Sequence, residues 1–436
     1  QGIAAYDSVA SSYTISDTAG AILDHQETSI DKGVTTIDVD GPVWAGVGVQ
    51  LGGFEDSIYG VTGYSSDVQF EVQDDANAIA QALVANGNGA LNNAEDVNVD
   101  GGVVSVDSAA DIQGVAEYNA SVSDYAIEDS SAAILQGAAT VIDSGVEQVF
   151  VTDTVSVADG VSLSDMEVAL EADRSGLGNA DIDFDVVGSA SEIIANAAEL
   201  SGASIVTVTN ASVDASDGVA LNGLEVSLLG DDSQANVDFH VEDSAAAIAA
   251  ELDGLQGGSI DALDGAESLV VSGGDTTVQG AADIQSLSGI YDASYSGYTV
   301  SDTAGAVLSD MGTGAVIDEG VTEINVVGGP VGAGVGVQLG ALEDVSLDLA
   351  TGYSADINFN VSDDANAIAQ ALADNGNGAL NNADDVEVIG GSVSVDSAAD
   401  IQGVSFYDAS GSSYTVSDTA GAILGDTATA IDDDGV

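Results

Sequence analysis

Residues 74–83, Asp-Asp-Ala-Asn-Ala-Ile-Ala-Gln-Ala-Leu, recur unchanged at 363–372. This internal copy constrains the fold more than any single residue, because a chain that repeats must hide its apolar surface in the same way each time. The match extends well beyond ten residues. Ser-Asp-Thr-Ala-Gly-Ala stands at 16–21, 301–306 and 417–422, and Gly-Gly-Val-Val-Ser-Val at 101–106 returns at 390–395 with one change. The pattern as a whole comes back after roughly 285 residues, an offset that grows to 289 by Asp74 and Asp363, with the extra residues in polar or Gly-rich stretches that suit loops.

One phrase punctuates the chain: an extended run, then Asp, Ser or Thr, Ala, and an Ala/Ile/Leu stretch. It appears at Asp17, Asp75, Asp107 and Asp129, and again at Asp302, Asp364, Asp396 and Asp418, with looser variants near Ser189, Asp243 and Gly280. Three blocks follow: 1–128, a middle block 129–301 with an extra long unit near Ser189, and 302–436, which stops inside a repeat. The opening Gln1-Gly2-Ile3 also matches Gln113-Gly114-Val115 and Gln402-Gly403-Val404, so the expectation is a stretch of a longer array.

Each phrase has a local logic. Tyr13-Thr14-Ile15-Ser16 and Tyr298-Thr299-Val300-Ser301 are aromatic and β-branched, which suits a strand. An Asp followed by Ser or Thr can accept from free backbone N–H groups and open a helix. The Ala-rich segment that follows places Ile79 and Leu83 on one face, yet it is too short to be stable alone. Gly101-Gly102 and Gly390-Gly391 read as turns opening short β-type runs. These units predict a β-rich repeat protein, a β-solenoid-like stack of strands with short capped helices at the corners. Tandem small α+β or sandwich domains are the alternative.

Charge then restricts partners. Acidic residues number 74 against two basic ones, Lys32 and Arg174, while 45% of residues are hydrophobic. Disordered acidic tails lack that hydrophobic content, so the chain has the means to form a core. Nucleic acid and anionic membrane surfaces demand Lys and Arg that it does not have. Its self-repulsion calls for ions, and extracellular saline surroundings fit best. There is no cysteine, and the weakly polar run 41–53 is too short to cross a bilayer.

The phrases Tyr-Thr-Val-Ser-Asp-Thr-Ala at 298–304 and 414–420, and Asp-Ser-Ala-Ala at 107–110 and 396–399, resemble the repeats of very large secreted bacterial surface proteins. In those proteins Val-x-Asp-Thr/Ser-Ala-Ala-x-Ile units run along acidic, Lys/Arg-poor, cysteine-free chains. The resemblance implies an adhesin, surface-layer or extracellular-filament role. The glycine-rich calcium nonapeptide found among such relatives is missing here.

Candidate sites are few. Asp96, Asn98 and Asp100 before Gly101, with Asp107 in the last position, resemble a calcium-binding loop. The other reading is a strand with Val97 and Val99 inward and acids outward, and the internal copy favours it, because the matching positions are Asp385, Glu387 and Ile389. Weak, diffuse Ca²⁺ or Mg²⁺ binding at clustered acids such as Asp432 to Asp434 is the broader expectation. His25 and His240 have no set of catalytic partners in sequence, and no catalytic residue or enzyme activity is assigned. Trp44 becomes Gly332 in the copy. The Gly-rich segment 41–52 lacks the Lys-Ser/Thr of a phosphate loop and reads as a close backbone crossing or a docking face. The sequence therefore points to a self-associating structural protein of a filament, surface layer or adhesin stalk, with divalent cations as partners. A glycan- or surface-binding adhesin module is the alternative.

Overall fold

The computed structural model describes residues 7, 10–25, 32–59, 67–173, 181–200, 202–231, 236–254, 262–311, 320–343, 355–425 and 436. They fall into two compact units, one of residues 1–209 and 226–236, the other of 210–225 and 237–436. The first runs β1 (Tyr13–Asp17), α1 (Ala19–His25), β2 (Val34–Val39), α2 (Ala45–Tyr59), β3 (Asp67–Gln69), β4 (Glu71–Asp74), α3 (Ala76–Asn86), β5 (Asp96–Val104), α4 (Val106–Gln113), β6 (Asp124–Asp129), α5 (Ser131–Val141), β7 (Val146–Val151), β8 (Val155–Ser156), α6 (Val157–Asp173), β9 (Asp181–Gly188), α7 (Ala190–Ala195) and β10 (Ala203–Val208). The boundary falls within α8 (Ala215–Asp231) and β11 (Asn236–Asp238). The second unit continues β12 (His240–Asp243), α9 (Ala245–Gly254), β13 (Ser268–Val271), β14 (Asp275–Thr276), α10 (Val278–Ser286), β15 (Tyr298–Thr303), α11 (Ala304–Met311), β16 (Val321–Val327), α12 (Ala333–Leu342), β17 (Asp356–Asn358), β18 (Asn360–Asp363), α13 (Ala365–Asn375), β19 (Asp385–Val393), α14 (Val395–Gln402), β20 (Ser413–Val416) and α15 (Ala420–Gly425).

This is an α/β fold, and the expected β-solenoid with short corner helices is wrong. Strands pair in parallel with their neighbours in sequence, as in β1–β2–β3, β14–β15–β16–β17 and β18–β19–β20. Parallel neighbours cannot be joined by a hairpin, so the chain must cross back between them, and helices make most of those crossings. The Ala- and Gly-rich runs that read as corners or backbone crossings are these helices. Segment 45–59 is helix α2 in full. Four glycines in it, Gly46, Gly48, Gly52 and Gly53, argue against a helix on propensity alone.

Packing accounts for those glycines. A Cβ on Gly48 would stand 2.7 Å from Val72 and 3.3 Å from Leu91, with the Phe70 ring at 3.5 Å. The same quartet recurs as Gly160 with Val186, Leu200 and Phe184, as Gly218 with Val241, Leu263 and Phe239, and as Gly336 with Val361, Leu380 and Phe359. All twelve apolar partners are buried. Phe70 and Phe359 sit where one passage of chain stops pairing with the preceding strand and begins pairing with the following one. A neighbouring contact shows the same fit made in two ways. Asn93 and Asn382 donate from Nδ2 to the carbonyls of Gly52 and Gly340 (3.2 Å each), whereas in the α8 unit the glycine and asparagine exchange places and the Gly265 N–H donates to Asn222 Oδ1 (2.9 Å).

Gly101 and Gly102 do not open a new strand. They lie inside β5 with φ of 76° and 95°, values that L side chains rarely adopt, and they form a bulge that shifts the register between Asp100 and Val103. The run that follows them becomes helix α4 from Val106 onward.

Gly218→Ala is expected to lower unfolding stability by about 1–3 kcal/mol through overpacking. Gly223→Ala, in the same helix with no atom within 4 Å of the added carbon, is expected to raise it by roughly 0.5–1 kcal/mol. Urea titration of both variants checks this, and a gain in both would contradict the packing assignment.

Candidate functional site

The acid of the repeated phrase has a specific place. A helix begins with backbone N–H groups that have no partner inside it. In this chain the carboxylate that meets the first of them comes from the next strand along. The Ala45 N–H that opens α2 donates to Asp74 Oδ2 (3.0 Å), and the openings of α4, α8, α10, α12 and α14 donate in the same way to Asp129, Asp243, Asp302, Asp363 and Asp418 at 3.0–3.3 Å. The second oxygen of each aspartate accepts the N–H of the residue after it, such as Thr303 on Asp302 (2.7 Å) or Ser130 on Asp129 (2.8 Å). That following residue is itself the cap of the next helix: the Ala78 N–H donates to Asp75 Oδ1, and the Ala306 N–H to Thr303 Oγ1. Each aspartate thus clamps two successive helix starts together, and its negative charge lies where both helix dipoles favour it.

Variants confirm the requirement. Asp153 takes both the N–H and the hydroxyl of Ser131, and these two bonds hold its carboxyl below the usual range. Where Gly188 replaces the aspartate, Glu192 accepts the Ser189 N–H instead (3.1 Å), within a capping box. For α9 the Ala245 N–H finds the Gly273 carbonyl (2.8 Å).

Of the four residues of the suggested calcium loop, three belong to β5 and the fourth to α4. Asp96, Asn98 and Asp100 lie on one face of β5, opposite the buried Val97 and Val99. Asp96 Oδ2 accepts from Asn98 Nδ2 and from Asn119 Nδ2 at 3.3 Å, and Asp100 Oδ2 accepts from Gln73 Nε2 at 3.3 Å. Asp107 belongs to the first turn of α4, where Ser105 is the cap. In the copy both amide partners are acids, Glu387 and Asp408. Burial first, then those two charges, push the Asp385 carboxyl up. Among the described residues no group of three or more His, Asp or Glu side chains is arranged to hold a metal ion. Arg174 and Asp432 to Asp434 lie outside the described residues.

A further carboxyl escaped notice in the sequence. Glu55 on α2 is 6% exposed, and its Oε2 is buried with no hydrogen-bond partner. Burial, then the charges of Asp67 and Asp56, raise it to about 7. Its place in the Gly-rich helices is occupied again by Glu225, raised in turn by burial and Asp238, and by Glu167 on α6. That shared helix position was the available signal, and it places the carboxyl in the repeat's packing.

The remaining candidates are dispersed. His240 Nε2 lies 3.2 Å from Glu267, and its Nδ1 is 2.9 Å from Ser268 Oγ, at an exposed strand position. His25 ends α1 and is exposed. Trp44 is 74% exposed at the start of α2. An open groove of about 460 Å³ runs past Asn77, Gln81, Val84, Val103, Ser108 and Glu128. Its two exposed valines are Ala373 and Ser392 in the copy. No helix among the described residues is long and apolar enough to cross a membrane. Compared with known proteins, the chain matches no family model, and no curated protein matches it.

A carboxyl whose pKa rises on folding binds its proton more tightly in the folded chain. Its stabilising effect is complete below the ordinary value of 4.5 and is lost as pH climbs through about 7. Glu55→Gln is expected to flatten that stretch of the stability profile and to leave the variant more stable than the parent by roughly 1–2 kcal/mol above it. Thermal melts across pH check this, and an unchanged profile would contradict the assignment.

Proposed function

We propose that the chain is a structural, extracellular repeat protein, part of a filament, surface layer or adhesin stalk. The observation that carries this is recurrence: the aspartate clamp and the glycine–phenylalanine contact are rebuilt along the chain with the same atoms. The similarity of its Asp-Thr-Ala phrases to those of large secreted surface proteins supports the same reading.

The charge fits this role. Carboxylates face one another across parallel strands, with Glu71 beside Asp96 and Asp100 beside Asp124. Like charges directly opposite are destabilising, and cations between them relieve the repulsion. Divalent cations bridging such columns, within one chain or between chains, are the proposed partners. A second reading, an adhesin module that grips a glycan or surface, rests on Trp44 and on the two groove valines, each found in only one copy.

Electron microscopy of the purified chain in molar salt, with and without millimolar calcium, tests the proposal. The expected result is extended or sheet-like assemblies that shrink on chelation. Monodisperse particles in every condition would overturn it, and tight binding to one glycan on an array, lost in Trp44→Gly, would favour the second reading.

A further inference from the structure

Asn-Gly occurs five times in this chain, at Asn86, Asn88, Asn222, Asn375 and Asn377, and four of the five make up the matched runs Asn-Gly-Asn-Gly at 86–89 and 375–378. Glycine after asparagine matters chemically. Without a Cβ its backbone nitrogen is uncrowded and its dihedrals are free, so that nitrogen can reach the side-chain carbonyl carbon of the asparagine before it. What already holds the glycine N–H decides whether it does.

The fold sorts the five pairs. Asn86 and Asn375 end α3 and α13, and the N–H groups of Gly87 and Gly376 donate to the carbonyls of Leu83 and Leu372 (2.7 Å each). Gly223 lies inside α8, where the helix ladder occupies its N–H. Asn222 Oδ1 in turn accepts the Gly265 N–H (2.9 Å). Gly89 and Gly378 differ. They lie in exposed turns, and among the described residues nothing accepts from either N–H. Asn88 and Asn377 are exposed as well. Each of these asparagines reaches the next helix: Asn377 Nδ2 donates to Asp400 Oδ1 on α14 (2.6 Å), and Asn88 Nδ2 to Asp111 Oδ1 on α4.

We propose that Asn88 and Asn377 are self-modifying sites, at which the amide of the following glycine converts asparagine to aspartate and isoaspartate with water as the only co-reactant. The Gly89 nitrogen loses its proton to solvent base and bonds to Asn88 Cγ. The Cγ–Nδ2 bond breaks, and that nitrogen leaves as ammonia, protonated from water. Water then opens the five-membered succinimide at either carbonyl. One opening gives aspartate; the other gives isoaspartate, whose main chain runs through Cγ. Gly378 and Asn377 react in the same way. The change reaches the neighbouring helix. The amide that donated to Asp111 becomes a carboxylate, which only accepts. A hydrogen bond between the turn after α3 and helix α4 is thus replaced by two like charges, and age loosens the same tie in both copies.

The test is to incubate the chain in mildly alkaline buffer at physiological temperature and digest it with pepsin in acid, where the reaction stops. Peptide mass mapping is expected to show conversion at Asn88 and Asn377 at least several-fold faster than at Asn86, Asn375 and Asn222, with isoaspartate among the products. Equal rates at all five, or Asn222 turning over first, would overturn the assignment. Gly89→Ala tests the route. The φ of Gly89 lies outside the left-handed range, and an added Cβ meets only Asn92 Nδ2 at 3.5 Å, so the variant keeps its turn. It should slow Asn88 several-fold while Asn377 proceeds as before; an unchanged rate would mean direct attack by water and would overturn the role given to the glycine. Asn88→Asp reproduces one product. Its urea midpoint should fall below that of the parent in low salt and recover in molar salt. A midpoint equal to the parent's in both would overturn the loosened tie.

Discussion

A helix that starts inside a protein leaves backbone N–H groups without partners, and this fold starts many helices close together. The aspartate clamp answers that demand with one side chain for two helices. Asp302 accepts from Val278, at the opening of α10, and from Thr303, at the cap of α11. An asparagine could accept one such bond, but its amide nitrogen cannot accept the second, and it lacks the charge that the two dipoles favour. Part of the chain's acidity is thus internal chemistry, fixed by the number of helix starts. Other acids line strand faces, as Asp96 and Asp100 do on β5.

The clamp ties each repeat to the next at the ends of its strands, and the glycine contacts set how closely helix and strand approach between those ends. Gly336 and Gly48 let Val361 and Val72 come against the helix backbone, which places Phe359 and Phe70 beneath it. The exchange of roles between Gly52 with Asn93 and Asn222 with Gly265 shows the constraint at work: one volume, and one hydrogen bond, supplied from either side. An insertion in a connecting loop disturbs neither device, which suits the growing offset between the two copies.

Much of the repeat was legible in the residues themselves. The capped starts at Asp75 and Ser130 and the strand at Tyr298 follow from local preference, and the internal copy announced that the same structure would recur. The fold class did not follow, because α2 and α12 carry glycines that weigh against a helix until the strand they pack on is known. The clamp was half legible. The sequence marks an aspartate before caps such as Asp75, Ser130, Thr303 and Asp364, but the second partner of such an acid lies 22–30 residues earlier, as with Ser131 and Asp153 or Ala333 and Asp363. Such a bond exists only once neighbouring strands are paired. The β5 face was anticipated in one of its two readings, with Val97 and Val99 inward, and Asp107 lay outside it because α4 begins at Val106.

Native-state hydrogen exchange on Asp302→Ala tests the central claim most directly. If one carboxylate joins two helix starts, protection at the Val278 amide and at the Thr303 amide must fall together, although 25 residues of chain separate them, while the Val395 amide, held by Asp418, keeps its own. Loss confined to Thr303, with Val278 as protected as in the parent, would contradict the clamp.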